Sequence, residues 1–424
     1  MEFHEFRKRL GAATEELEGK WRSKLADMIR IDSQSGNEAG MSAFVMKELD
    51  ALGVESESFD VPADIDPCRT FPDWLFRNRP NVAGVIKGGA GAGRSLILNC
   101  HLDMQPVHPR EFWKHDPFGA EIEDEKIYGR GALDDKAGVA VVLFTLEILK
   151  RIGLRTGGDL ISEFSVDDET TGLGSLAFAK KGYTADGAII VDGTNLNNAF
   201  YAHPGHILFK IEISGAPTTS ASAFRALNPL SAAKPVADAL YGVLDRLRAS
   251  GYGEFKKTGQ PVNLNLYLQE CGFTTAAVPA RAVLGGSMSF CPPWTHEKLR
   301  PAIVEAVESA WRAEFSGKTM PPRVEFAGYV CDQAIADPQS ELAGILRGGA
   351  MEMHGIEVAV LPMRGYADLR HFIDMTNGNC MLYGPGGGGG THIPDEYYEL
   401  GDMRRCAEIL AAVIYRWCGL YPAR

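Results

Sequence analysis

The chain has 424 residues, 45% hydrophobic and 23% charged, with a net charge of −12. That is the balance of a globular protein large enough for two domains and a sizeable core. No apolar run approaches the roughly 20 residues that span a bilayer. The acidic balance, with no basic stripe, speaks against nucleic acid and anionic membrane as partners.

The start, Met1-Glu2-Phe3-His4-Glu5-Phe6-Arg7-Lys8, is charged and lacks the apolar core of a secretory signal, so a cytoplasmic location is expected. The eight cysteines are scattered, with no C-x-x-C pair. They read as small buried residues in a reducing compartment, not as a disulfide framework or a thiolate metal site.

Residues 25–53 carry helical apolar spacing, with Phe44, Val45, Leu49 and Leu52 on one face. Residues 81–87 and 95–100 are strand-like, and 137–152 form an apolar helix. Short strands are expected at 160–166 and 188–191, bounded by turn chemistry. Strands alternating with helices predict a sheet covered on both faces.

The pattern changes near Gly215. Residues 207–214 alternate like a strand, and 230–250 form a helix with Val236, Leu240, Val243 and Leu247 on one stripe. Strands at 262–270 and 283–290, a helix at 296–315 and a strand at 323–328 complete a βαββαβ order, the split-βαβ sandwich. Long helices return at 338–355 and 402–418. The expected fold is α/β: a mixed-sheet catalytic domain from 1–212 and 329–424, with helices on both faces, and an inserted α+β lid at 213–328.

The polar residues that end the strands carry the chemistry. His101-Leu102-Asp103 follows the strand at 95–100. A carboxylate two residues beyond a histidine can accept from its second ring nitrogen and fix the tautomer, as around metal-bound imidazoles. Asp167-Asp168-Glu169 follows 160–166, and Asp192 follows 188–191. His392 follows a strand at 380–383 and a glycine-rich loop. Asp134 precedes the helix at 137–152, after the tight turn Gly129-Arg130-Gly131. Each has an ordinary alternative, such as an Asx turn at Asp192 or a helix N-cap at Asp134. Together they would line one sheet edge, where clustered carboxylates repel unless a cation neutralises them. Two histidines and several carboxylates suit zinc, manganese or cobalt.

These motifs resemble those of the metallopeptidase family that includes aminoacylases, acetylornithine deacetylases, succinyl-diaminopimelate desuccinylases and carboxypeptidase G. The resemblance runs from about Trp21 to Leu410. It includes Arg79-Pro80-Asn81-Val82 and the run Gly129 to Lys136. It implies that His101 and Asp192 bind one metal, that Glu169 and His392 bind a second, and that Asp134 bridges them. It also implies that Asp103 orients His101 and that Asp168 is the general base for the attacking water. A cis peptide at Asp134-Asp135, a small-molecule substrate and a homodimer formed through the lid follow from the same resemblance.

Three positions depart from that family's pattern. The base is normally glutamate, so Asp168 brings a shorter arm, and a shift of about 1 Å at a reacting centre costs roughly 100-fold. The lid histidine that holds the oxyanion is replaced by Thr219. The lid arginine that holds a substrate carboxylate is replaced by Ser289, with Arg281 the nearest preceding arginine.

The metal set is kept while the groups serving a peptide carbonyl change. Two activities are therefore expected to compete: deacylation of an N-acyl amino acid or dipeptide, and deamination of an activated aromatic amine, as in the nitroanthranilate aminohydrolases. A catalytically silent metal-binding relative is the third reading. Arg370, whose planar fork suits a carboxylate, and His203, at the lid hinge, are the candidate substrate-binding residues.

Overall fold

The computed structural model describes residues 2–66, 73–89, 93–316, 320–326, 328–386 and 388–422. It is a mixed α/β fold in which one sheet positions the chemistry. Four strands lie side by side in the order Leu160–Ser165, Leu96–His101, Gly187–Ile190 and Cys380–Leu382, each parallel to its neighbour. Their carboxyl ends therefore share one edge, where ligands of such sheets bind.

These strands are buried along their whole length because helices cover both of their faces. Alternation sends Leu96, Leu98 and Cys100 into one core and Ile97 into the other. The same period places Asn99 and His101 on the face of Ile97.

The helix Lys136–Arg151 packs against the sheet and is itself covered by the helices Phe3–Ile29 and Gly401–Trp417. The first of these was missed in the sequence. Phe6, Leu10, Ala13, Leu17 and Trp21 form a buried stripe at helical spacing, which the charged residues between them obscured. Truncating Trp21 to alanine would cost about 3–5 kcal/mol. The helix expected over 25–53 is two helices, Phe3–Ile29 and Ala39–Leu52. Between them Gly36 takes φ 105°, and the buried Glu38 carboxylate accepts from its N–H at 3.1 Å. This break brings Ser35 to the sheet edge.

The smaller sheet is antiparallel, in the order Leu264–Cys271, Arg281–Phe290, Gly205–Ser214 and Arg323–Glu325. Its own core joins Ile207, Phe209, Ile211 and Ile213 to the helices Pro229–Ala249 and His296–Phe315. Its first strand begins at Gly205, so a boundary at 213 would cut through it. The alternation is legible only from Ile207 because His203-Pro204-Gly205 masks the start.

One buried acid in the larger sheet sets a pH dependence. Burial pushes the Glu163 carboxyl up to about 8, against the lowering effect of the hydrogen bond from Asn99 Nδ2 at 3.2 Å. The folded chain holds a proton that the unfolded chain releases near 4.5. Stability from this group is complete below that pH and is lost as pH rises toward 8. Glu163→Gln should gain melting temperature relative to wild type as pH increases from 5 to 8. Parallel pH profiles for the two proteins would show that Glu163 is not the group responsible.

Candidate metal centre

The carboxyl ends of the four parallel strands bring His101, Glu169, Asp192 and His392 together with Asp134, which precedes the helix Lys136–Arg151. His101, Asp134 and Asp192 each offer a ligand atom within 4.8 Å of the others, and so do Asp134, Glu169 and His392. Asp134 belongs to both groups. His101 Nε2 lies 2.9 Å from its Oδ1, and His392 Nε2 lies 3.1 Å from its Oδ2 and 3.2 Å from Glu169 Oε2. The peptide Asp134-Asp135 is cis.

Asp103 ties this edge together. His101 Nδ1 lies 3.0 Å from the Asp103 carbonyl and 3.4 Å from its Oδ1. The Asp103 carboxylate also accepts from Ser35 Oγ at 2.9 Å and from the N–H groups of Asp168 and Glu169 at 3.1 and 3.2 Å. One buried carboxylate thus orients an imidazole and holds the turn bearing the two downstream acids. Asp167, with φ 71°, is fastened within that turn by Arg79 at 3.1 Å.

Charge is concentrated here. Burial raises Asp192 and Glu169, with the Asp134 charge adding to both, and each carboxyl is pushed up to about 7. Burial would lower both histidines, but hydrogen bonds to Asp103 and Asp134 raise His101 well above the ordinary range, and those to Asp134 and Glu169 raise His392 to about 10. Those two imidazoles, in turn, hold Asp134 down against its burial. Burial lifts Asp168, whose carboxyl meets that of Asp368.

The donor set fits a divalent ion. Both Nε2 atoms aim at one carboxylate, and Glu169 Oε1 is a buried oxygen with no hydrogen-bond partner among the described residues. Carboxylate and imidazole ligands together suit borderline ions such as zinc and manganese. A third group, His115 with Glu121 and Glu123, is largely exposed, and nothing further marks it as a site.

Sequence reasoning missed the parts that fix Asp134. Glu396 is buried; its Oε1 accepts from the N–H groups of Leu133 and Asp134 at 3.0 and 3.2 Å, and its Oε2 pairs with Arg130 Nη1 at 2.7 Å. This ion pair joins the Asp134 loop to the loop of His392, where His392 takes φ 65°. Gln105 Nε2 steadies Glu169 Oε2 at 2.9 Å. No local pattern links residue 130 to residue 396; only the position of Glu396, four residues after His392, hinted at a role.

The other candidates are placed differently. Arg370 donates to Tyr329 Oη and to the carbonyls of Ala367 (3.1 Å) and Thr171 (3.4 Å), and lies 3.3 Å from Asp368 Oδ1. Its guanidinium therefore serves the fold around Asp368. His203 is buried outside both ligand groups, with Nδ1 2.9 Å from the Pro204 carbonyl, and burial lowers its pKa to about 3. Ser289 Oγ donates to the Pro261 carbonyl at 2.9 Å and accepts from Asn263 N at 2.8 Å. Arg281 pairs with Glu270 at 2.8 Å on the surface of the smaller sheet.

Comparison with known proteins agrees with this architecture. The chain belongs to the peptidase family M20/M25/M40, whose model matches residues 97–416. It is 25% identical over 411 residues to the N-formyl-4-amino-5-aminomethyl-2-methylpyrimidine deformylase of Bacillus subtilis (strain 168), covering 90% of each chain. Its fold resembles that of human carnosine dipeptidase 1, with a TM-score of 0.79 at 14% identity over 97% of this chain and 99% of the other. It equally resembles the dipeptidase Dug1p of Saccharomyces cerevisiae, with a TM-score of 0.79 at 16% identity, covering 97% and 98%. The protein is a hydrolase acting on C–N bonds. Among the described residues no helix is long and apolar enough to cross a membrane.

Glu396→Gln should destabilise the chain by about 3–5 kcal/mol, because it strands the buried Arg130 charge. Denaturant unfolding measures this, and replacing Arg130 with methionine in the same chain should recover part of the loss.

Proposed function

We propose that the chain removes a small acyl group from an amine by metal-dependent hydrolysis, with His101, Asp134 and Asp192 holding one divalent ion and Asp134, Glu169 and His392 a second. The observation that carries this reading is Asp134, whose two oxygens face two different imidazoles at 2.9 and 3.1 Å. Zinc or manganese bound there supplies Lewis acidity and lowers the pKa of water.

The remaining work falls to the chain. Asp168 takes a proton from the attacking water and delivers it to the departing nitrogen, one group acting as base and then as acid. Asp103 fixes His101 and, through its hydrogen bonds to the 168–169 backbone, sets the approach of Asp168. Arg79 and Asp103 hold this turn from behind.

Support for acyl transfer comes from the deformylase relatives, similar over nine-tenths of their length. The altered lid supports a substrate other than a peptide with a free carboxylate. Ser289 is no cation, its hydroxyl is bonded within the smaller sheet, and Arg370 is engaged by Asp368. Neither Arg370 nor His203 is therefore assigned a substrate carboxylate. The unit built on the smaller sheet would serve as a lid, with a homodimer formed through it. A second reading, deamination of an activated aromatic amine, is favoured by Thr219, since that reaction spreads charge into the ring and needs no oxyanion donor.

The test is turnover with manganese or zinc. The expected result is amine release from N-formyl aminomethylpyrimidines, beside N-acetyl amino acids, and loss of activity on chelation. Asp168→Asn should lower kcat about 100- to 10,000-fold. Ammonia release from nitro-substituted aminobenzoates alone would establish the second reading. No turnover of any of these with metal bound would overturn both substrate readings and favour a silent relative.

A further inference from the structure

Acyl transfer needs a donor for the oxyanion, and at the lid position where the family pattern has a histidine this chain has Thr219. Thr219 is exposed on the smaller unit, bridged to Ala277, at the start of the short helix Ser220–Arg225. A different hydroxyl stands beside the acids. Residues 366–371 dock against the turn that carries Asp168 and Glu169. Arg370 Nη2 reaches the Thr171 carbonyl at 3.4 Å, and Asp368 and Arg370 crowd Gly172 so closely that it has no room for a Cβ. Tyr329 Oη donates to the Ala367 carbonyl at 3.0 Å.

The ring of Tyr366 is pinned within this assembly. The His206 imidazole stacks on it with centroids 4.1 Å apart and an interplanar angle of 30°. The Tyr329 ring meets it at 4.1 Å and 40°. Its hydroxyl lies in the field of Glu169, Asp168 and Asp134. Burial, with those charges adding to it, raises the pKa of the phenol. Tyr366 is half-buried, and no hydrogen bond engages its hydroxyl among the described residues. A donor held by flanking rings costs little to reorganise when charge develops next to it.

We propose that Tyr366 is the oxyanion donor of this chain, its phenol hydroxyl hydrogen-bonding the acyl oxygen as the carbonyl carbon becomes tetrahedral. The inference rests on the acyl-transfer reading. The water oxygen bonds to the acyl carbon, and the proton it loses passes to Asp168. The carbonyl π pair moves onto the acyl oxygen, facing Tyr366. On collapse the C–N bond breaks, the nitrogen takes the proton from Asp168, and a carboxylic acid and an amine leave. Tyr366 keeps its proton throughout. One subunit then carries the whole reaction, and the lid is released from the task that Thr219 does not perform.

Tyr366→Phe keeps the ring stack and removes only the hydroxyl. Its kcat for the acyl substrate should fall about 100- to 1,000-fold, with KM, melting temperature and bound manganese unchanged. Thr219→Ala should turn over at the wild-type rate. Methylphosphonate, a tetrahedral oxyanion probe, should bind the manganese-loaded Tyr366→Phe protein at least tenfold more weakly than wild type by titration calorimetry. A kcat within threefold of wild type, an equal loss in Thr219→Ala, or unchanged methylphosphonate affinity would each overturn the proposal. If wild type releases no amine, the acyl reading fails by itself, and the calorimetry still decides whether Tyr366 donates to a bound oxyanion.

Discussion

The structure depends on one electrostatic constraint: a set of carboxylates held out of bulk water at a single sheet edge. Asp103, Asp134, Asp168, Glu169 and Asp192 all lie there, and burial by itself pushes each toward its neutral form. Only opposite charge or directed donors keep such groups ionised. His101 and His392 provide part of that charge at Asp134. A divalent ion coordinated by the same atoms would provide more, and the arrangement is intelligible as a cradle for one.

Much of the surrounding fold holds those acids in place. Arg79 is buried between Glu38 and Asp167, bracing the 167–169 turn from the side of the second helix. Arg130 and Glu396 brace the opposite side and join two distant loops. Lys136 is also buried; loss of solvation lowers its pKa to about 7, and its ammonium donates to the Ile31 carbonyl at 2.6 Å. Buried ion pairs of this kind add little net stability, but removing one partner is expensive. Their value here lies in geometry, since each fixes a backbone segment that carries a candidate ligand.

The two units divide the labour unevenly. The larger sheet supplies the candidate ligands and the candidate base, and its parallel strands are buried on both faces. The smaller unit meets it at the His203-Pro204-Gly205 crossing, where His206 reaches Tyr366 and Tyr329. Thr219 and Ser289 belong to the smaller unit, whose core is separate from the one beneath the candidate ligands.

Local pattern alone determined much of this protein. Strand alternation, the stripe of 230–250 and the His101-Leu102-Asp103 motif were legible because each depends on neighbours within a few residues. The candidate ligands were legible for the same reason: each ends a strand or opens a helix. Tertiary structure decided what depends on distant partners. The buried stripe from Phe6 to Trp21 acquires meaning only against the helix it covers. Arg370 reads in the sequence as a substrate-binding candidate, and only the fold sets its guanidinium 3.3 Å from the Asp368 carboxylate. Glu396 reaches Asp134 across a long stretch of chain, and the Tyr366 ring is stacked by His206 from the smaller unit. Periodicity records the side that faces inward, but hydrogen bonds and ring contacts between distant segments leave no mark on spacing, so folding alone reveals them.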